Sequence, residues 1–229
     1  MPVEASGFTL VHLSDLHLGP LTSVDRLRGI VDRVNGPSPD LVVITGDLID
    51  PDIDQEATFC RCLEAIKARH GVLAVAGNHD YQAGYERFLR VARCSNITVL
   101  QNERRLIAGA IQVAGVDEAA GRSFAEGGPD LAKALAGSDP DRPVILLAHQ
   151  PDGFDRAVRK GIDLQLSGHS HAGQIPPLDG LVWLISPYSY GLVAKGRSQI
   201  YTSCGTGTSG PPMRLFSRNE IVRFTLVRE

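Results

Sequence analysis

The chain has 229 residues, 43% of them hydrophobic and 21% charged, with a formal net charge of −3. That is ample material for an α/β core, and the balance gives no bulk-charge reason to expect nucleic acid or an acidic surface as a partner. No apolar run approaches the ~20 residues of a spanning helix, and no basic stretch leading into an apolar one marks a leader.

The first predicted strand is Phe8 to Leu13, ending at Ser14-Asp15-Leu16-His17. Thr22-Ser23-Val24-Asp25 reads as a helix start, and that helix runs to about Asn35, before Gly36 and Pro37. Leu41-Val42-Val43-Ile44 is continuously apolar and β-branched, as a strand buried on both faces should be. It ends at Thr45-Gly46-Asp47-Leu48-Ile49-Asp50, where Asp50 reads as a loop or helix-capping carboxylate. A helix is predicted from Gln55 to Arg69, a strand from Val72 to Ala76, then Gly77-Asn78-His79-Asp80 and a helix from about Tyr81 to Ala92. This βαβαβα order predicts a parallel sheet covered by helices.

The middle changes character. Ile97 to Leu100, Arg104 to Ala108 and Ile111 to Val116 are short strands with tight turns, which suggests a second, more antiparallel sheet. A Gly-rich loop, Gly121 to Gly128, leads to a helix at Asp130 to Ala136. Another buried strand, Pro143 to Ala148, ends at His149; Phe154 to Lys160 is helical; Leu164 to Ser167 ends at Gly168-His169-Ser170-His171. The tail reads as short strands at Gln199 to Ser203, Arg214 to Phe216 and Ile221 to Val227. With no repeat, low-complexity tract or linker, residues 1–229 are expected to form a single domain.

Cys60, Cys62, Cys94 and Cys204 contain no Cys-x-x-Cys pair, which argues against thiolate zinc and redox motifs. They are expected as reduced thiols in a reducing compartment. Together with the missing span and leader, this predicts a cytoplasmic chain, with peripheral contact at the inner membrane left open. Five of the seven histidines (His17, His79, His149, His169 and His171) fall at strand ends, while His12 and His70 read as structural.

The predicted strand ends gather Asp15, His17, Asp47, Asn78, His79, His149, His169 and His171. In open α/β sheets that edge carries the chemistry. Oxygen and imidazole donors without sulfur favour Mn, Fe, Zn, Ni or Co. Asp15-x-His17 and His169-x-His171 each put two ligands on one side of an extended chain. With His79 set aside as a group that can move a proton, seven ligands are too many for one open catalytic ion. They suit two divalent ions sharing a carboxylate.

The series Asp15-Leu16-His17, Gly46-Asp47-Leu48-Ile49-Asp50, Gly77-Asn78-His79-Asp80, His149 and Gly168-His169-Ser170-His171 resembles the calcineurin-like metallophosphoesterase family. The resemblance implies a four-layer αββα sandwich with two mixed β-sheets and a dinuclear metal centre at one edge. It implies that Asp15, His17, Asp47 and His171 hold one metal and that Asp47, Asn78, His149 and His169 hold the other. A metal-bound hydroxide would attack phosphorus, His79 would protonate or stabilise the leaving oxygen, and Asp80 would orient His79.

Gly173-Gln174-Ile175 and Gly205-Thr206-Gly207-Thr208-Ser209-Gly210, followed by Arg214, resemble the bacterial YkuE-like branch. Some members there are membrane-linked, and some cleave the pyrophosphate of UDP-2,3-diacylglucosamine. The expected function is therefore hydrolysis of a phosphodiester or pyrophosphate, of a small-molecule, nucleotide-sugar or lipid-linked substrate. A cyclic-nucleotide phosphodiesterase or nuclease is the alternative, and a non-enzymatic scaffold a lesser one, since every ligand position is filled. Pro51 after Asp50 and Asp80 after His79 depart from the Ser/Thr protein phosphatases. Thr206, Ser209 and Arg214 are candidates for phosphate contact through a nest of amides, the other reading being a tight turn between strands. Trp183 and Tyr188, in the apolar stretch Leu178 to Val193, are candidates for an apolar substrate wall, the other reading being core filling.

Overall fold

Two runs of β-branched and aliphatic residues, Leu41–Thr45 (β2) and Val72–Val75 (β3), are buried along their whole length and form the middle of one sheet. The structure is a computed structural model and describes residues 6–123, 127–175, 177, 184, 186–210, 213–215 and 217–227. Thr9–Leu13 (β1) pairs in parallel with β2 on one side, and Ile97–Val99 (β4) pairs in parallel with β3 on the other. The tail strand Val222–Thr225 (β11) closes the β1 edge antiparallel, giving the order β11-β1-β2-β3-β4.

The second sheet contains Glu103–Ile107 (β5), Ile111–Gly115 (β6), Val144–Leu147 (β7), Leu164–Ser167 (β8), Gly191–Lys195 (β9) and Ser198–Thr202 (β10). Its order is β5-β6-β7-β8-β10-β9, with parallel pairing except at its two edges, where β5 and β9 run antiparallel to their neighbours. The expected antiparallel character thus belongs to the edges alone. The sheets pack face to face over Leu10, Leu41, Val43, Leu73, Val113, Ile145, Leu147 and Leu166.

Val24–Asn35 (α1), Glu56–Glu64 (α2), Asn78–Gln82 (α3) and Tyr85–Cys94 (α4) cover the outer face of the first sheet, burying Leu27, Val34, Phe59 and Phe88 against it. Leu131–Ala134 (α5) and Phe154–Arg159 (α6) cover the second. The architecture is the four-layer αββα sandwich with two mixed sheets.

Several boundaries move from the sequence expectation. Ile97–Val99 joins the first sheet, not the second, pairing in parallel with β3; three residues are too few to declare which sheet they enter. The helix expected from Gln55 to Arg69 stops at Glu64, and no strand forms at Arg214, whose side chain turns inward instead. The thiols also differ. Cys60 on α2 and Cys94 at the end of α4 are joined by a disulfide with Cα atoms 5.6 Å apart, because the two helices lie side by side on the sheet. Cys62 and Cys204 are buried free thiols. Disulfides persist in oxidising surroundings, so the argument from reduced cysteines to a cytoplasmic chain falls away.

Candidate metal centre

The loops after β1 and β2 continue side by side beyond their strands. Asp15 N donates to Gly46 O (3.0 Å), His17 N to Asp47 O (3.0 Å) and Asp50 N to Leu18 O (3.1 Å). This zipper holds Asp15, His17 and Asp47 within one cluster. It uses backbone that L residues seldom adopt: φ is positive at Asp15 (53°), His17 (46°), Asp47 (50°), His169 (71°) and His171 (50°). Such conformations persist only where surroundings enforce them, and they concentrate at functional sites. Close approach matters as much. A Cβ on Gly77 would collide with the Asp47 carboxylate, and one on Gly168 with Ser14 Oγ and the Asp15 carboxylate.

The donor atoms converge on two neighbouring points. Near the first, Nε2 of His17 and Nε2 of His171 are 3.1 Å apart, and Asp15 Oδ1 is 3.5 Å from the latter. Near the second, His149 Nε2 lies 3.1 Å from both His169 Nδ1 and Asn78 Oδ1. Asp47 joins them: its Oδ2 is 3.7 Å from His17 Nε2 and 3.3 Å from His149 Nε2. Its Oδ1 accepts the His79 amide at 2.8 Å. Donors about 2.1 Å from a common ion lie roughly 3.0–3.4 Å from one another in octahedral or tetrahedral geometry; the 3.1 and 3.3 Å spacings fit such edges, and the 3.5 and 3.7 Å ones are slightly longer. Asp15, His17 and His171 form one group able to hold a metal, and Asp47, His149 and His169 another.

Two ring orientations are fixed from behind. His17 Nδ1 donates to Asp50 (2.7 Å) and His149 Nδ1 to the Thr45 carbonyl (2.8 Å), leaving each Nε2 lone pair toward the cluster. Burial works against a charged His149, yet Asp47 and further carboxylates push it up to about 10. Burial also disfavours the Asp47 anion, but His149, His17 and His79 hold it below the usual carboxylate range. Burial acts the other way on the remaining imidazoles, lowering His169 and bringing His171 down to about 4; the carboxylate and imidazole donors together fit two divalent cations.

His79 and Asp80 stand at the start of α3. His79 is partly exposed beside the cluster, and its Nδ1 donates to Asp50 Oδ1 at 2.9 Å. That bond raises its pKa against the opposing effect of burial. Asp80 does not orient it. The helix turns Asp80 back underneath, where its oxygens accept the amides of Ile49 (3.0 Å) and Gly77 (2.8 Å). The orienting carboxylate is Asp50, which sequence reasoning treated as a loop residue; its place three residues after Asp47 was the available signal. Burial disfavours its charge, but its bonds to His17 and His79 bring it down to about 2.

The other candidates lie elsewhere. The loop amides expected to face phosphate are engaged: Thr206 N and Gly207 N donate to the carbonyls of Ser14 (2.7 Å) and Asp15 (2.8 Å), and Ser209 N to Gln174 Oε1 (3.2 Å). Arg214 spends all its donors inside the protein, on Gly207 O, Cys204 O, Ser217 Oγ and, at 2.9 Å, His171 Nδ1. It clamps His171 from behind and has no N–H left for substrate. Tyr188 packs edge-on against Phe154 (5.0 Å between centroids) and donates to Asp155 at 2.7 Å, on the outer face of the second sheet. It forms no wall beside the cluster. Trp183 lies outside the described residues.

Residues 8–173 match a family model described as Calcineurin-like phosphoesterase. An uncharacterized metallophosphoesterase of Helicobacter pylori is 39% identical over 221 residues, spanning 95% of this chain and 59% of that protein. A Danio rerio transmembrane protein with metallophosphoesterase domain is 38% identical over 238 residues, spanning 99% and 54%. The uncharacterized metallophosphoesterase YkuE of Bacillus subtilis is 32% identical over 239 residues, spanning 99% and 81%. The chain thus spans between half and three fifths of the length of the first two. In fold it is similar to a dimetal phosphatase from Danio rerio, with a TM-score of 0.56, 14% identity and coverage of 87% and 88%.

Proposed function

The chain belongs to the calcineurin-like phosphoesterase family, and on that premise we propose that it is a metal-dependent hydrolase cleaving a phosphodiester or pyrophosphate bond. The observation that carries this reading is the position of Asp47 Oδ2 between Nε2 of His17 and Nε2 of His149. Asp15, His17, Asp47 and His171 hold one ion in this reading, and Asp47, Asn78, His149 and His169 the other. Two divalent ions so placed supply an activated water and a clamp on the attacking and leaving oxygens. His79 donates its proton to the departing oxygen, and Asp50 holds the ring by Nδ1 so that Nε2 faces outward. Asp50 positions His17 and His79, Arg214 packs behind His171, and neither is assigned to substrate.

A small-molecule phosphate ester is the substrate class, and an acylated pyrophosphate such as UDP-2,3-diacylglucosamine is its finer form. The Danio rerio relative, a transmembrane protein with a metallophosphoesterase domain, supports a substrate at a membrane. The test is hydrolysis of mono-, di- and pyrophosphate esters with Mn, Zn, Ni, Co and Mg each added. Turnover of the di- and pyrophosphates that needs added metal is expected. Absence of metal-dependent turnover across the panel would overturn the proposal. Equal kcat/KM for acylated and deacylated pyrophosphates would remove the lipid form alone.

A further inference from the structure

A cavity of about 210 Å3 opens on the outer face of the second sheet, and His149 stands in the wall it shares with the metal cluster. Val116, Leu131, Leu146 and Ala148 make its apolar sides. Gln165 lines it too: paired in register with Leu146 and Ile200, it sits on the same outer face, fully buried. Its Nε2 donates to Ser167 Oγ at 3.0 Å, and its Oε1 has no partner among the described residues. A buried amide oxygen left unmatched is costly and is rare without cause. Arg122 and Arg156 also line the cavity; both are exposed, and neither guanidinium has a hydrogen bond or ion pair among the described residues. The acidic neighbours are mostly engaged. Asp117 accepts from Tyr81 and Gln101, and Glu118 accepts from Gln150 at 2.6 Å, leaving the exposed Asp152.

From these features we propose that the cavity is a subsite for the departing half of the substrate, and that it takes an uncharged N–H group carried on a phosphate. The N–H meets Gln165 Oε1, the body of the group lies against Val116, Leu146 and Ala148, and the anionic arm lies between Arg122 and Arg156. An acyl chain would leave Gln165 unmatched, and an ammonium would enter beside two guanidiniums; neither suits the cavity. Two sources share the favoured chemistry, a lactam-bearing heterocycle on a sugar phosphate and an acetamido sugar phosphate. The assignment rests on the phosphoesterase reading above.

The test is isothermal titration of the metal-loaded protein with uridine 5′-monophosphate and N-acetylglucosamine 1-phosphate. Each is compared with its counterpart in which that N–H is methylated, 3-methyluridine 5′-monophosphate and the N-methylacetamido sugar 1-phosphate. Because every probe carries a phosphate, contact with the metals cancels within each pair. At least one N–H probe should bind ~10-fold more tightly than its counterpart, as expected when an analogue leaves a buried acceptor unpaired. Which pair shows the gap identifies the source. Gln165→Leu should close the gap, and Leu131→Trp, at the half-buried wall, should do the same by filling the space. Arg122→Ala should weaken all probes alike. No gap in either pair, or a gap that survives both Gln165→Leu and Leu131→Trp, would overturn the subsite. Either result together with normal turnover of bis(p-nitrophenyl) phosphate leaves the hydrolase reading standing, whereas loss of turnover across the ester panel refutes that reading by itself.

Discussion

His79 touches Asp50 on one side and has partial exposure on the other, which is the arrangement a proton donor needs. His79→Ala should retain its metals and lose rate by roughly 10²–10⁴, the usual contribution of a positioned acid. The loss should be smaller with p-nitrophenolate as leaving group, which needs little protonation. Equal losses for good and poor leaving groups would make His79 an electrostatic rather than a proton-transfer residue. A second residue-scale consequence comes from His12. It is fully buried, with Nε2 2.7 Å from Thr45 Oγ1 and Nδ1 unpartnered among the described residues. Burial brings its pKa down to about 4, against the pull of Asp15. The unfolded chain, with an ordinary histidine pKa near 6.5, therefore binds the proton first as pH falls. Stability contributed by the neutral ring is complete above that value and is lost between about 6.5 and 4, by about 2–3 kcal/mol at pH 4.5. Urea unfolding of the metal-free protein at pH 7 and pH 4.5 checks it: the wild type should lose that much more than His12→Phe. Parallel losses in the two proteins would contradict it.

At the scale of elements, the site is made by loops that leave parallel strands and by two helices that bring distant segments together. The strand-end blocks were legible in the sequence because their spacing is local: Asp15-x-His17 and His169-x-His171 need no knowledge of packing. The Asp50–Asp80 exchange was not legible, because it depends on α3 starting at Asn78 and turning Asp80 under Gly77. Arg214 was misread for a related reason: its partners on residues 171, 204 and 207 are set by a loop crossing. The Cys60–Cys94 bridge is likewise a product of α2 packing beside α4, with a sequence separation of 34. Closing a loop of that length should stabilise by roughly 3–4 kcal/mol through the unfolded chain. Denaturant unfolding with and without reductant, and of Cys60→Ser/Cys94→Ser, measures this. An unchanged midpoint under reduction would show that the bridge contributes nothing.

Across the whole molecule, the four layers follow from which runs are apolar on both faces and which on one. β2, β3 and β7 are buried throughout, whereas the edge strands β5, β9 and β11 alternate or lie largely exposed. That contrast predicted a helix-covered parallel sheet beside a second sheet, and the resemblance to the family implied the sandwich; neither placed β4, too short to carry a pattern, or β9, which overlaps the end of the apolar stretch Leu178 to Val193. No helix among the described residues is long and apolar enough to cross a membrane, while one relative carries a transmembrane name and extends well beyond the matched segment. What the layers accomplish is to point the strand ends of both sheets at one edge, so that Asp47 from the first and His149 from the second meet 3.3 Å apart. The central claim is that this edge holds two ions through one shared carboxylate. Metal analysis of the purified, metal-saturated protein beside Asp47→Asn tests it most directly. The account predicts two divalent ions per chain in the wild type and, in the variant, depletion at both positions together with loss of metal-dependent phosphodiester hydrolysis. An Asp47→Asn protein that keeps one position fully loaded would contradict it.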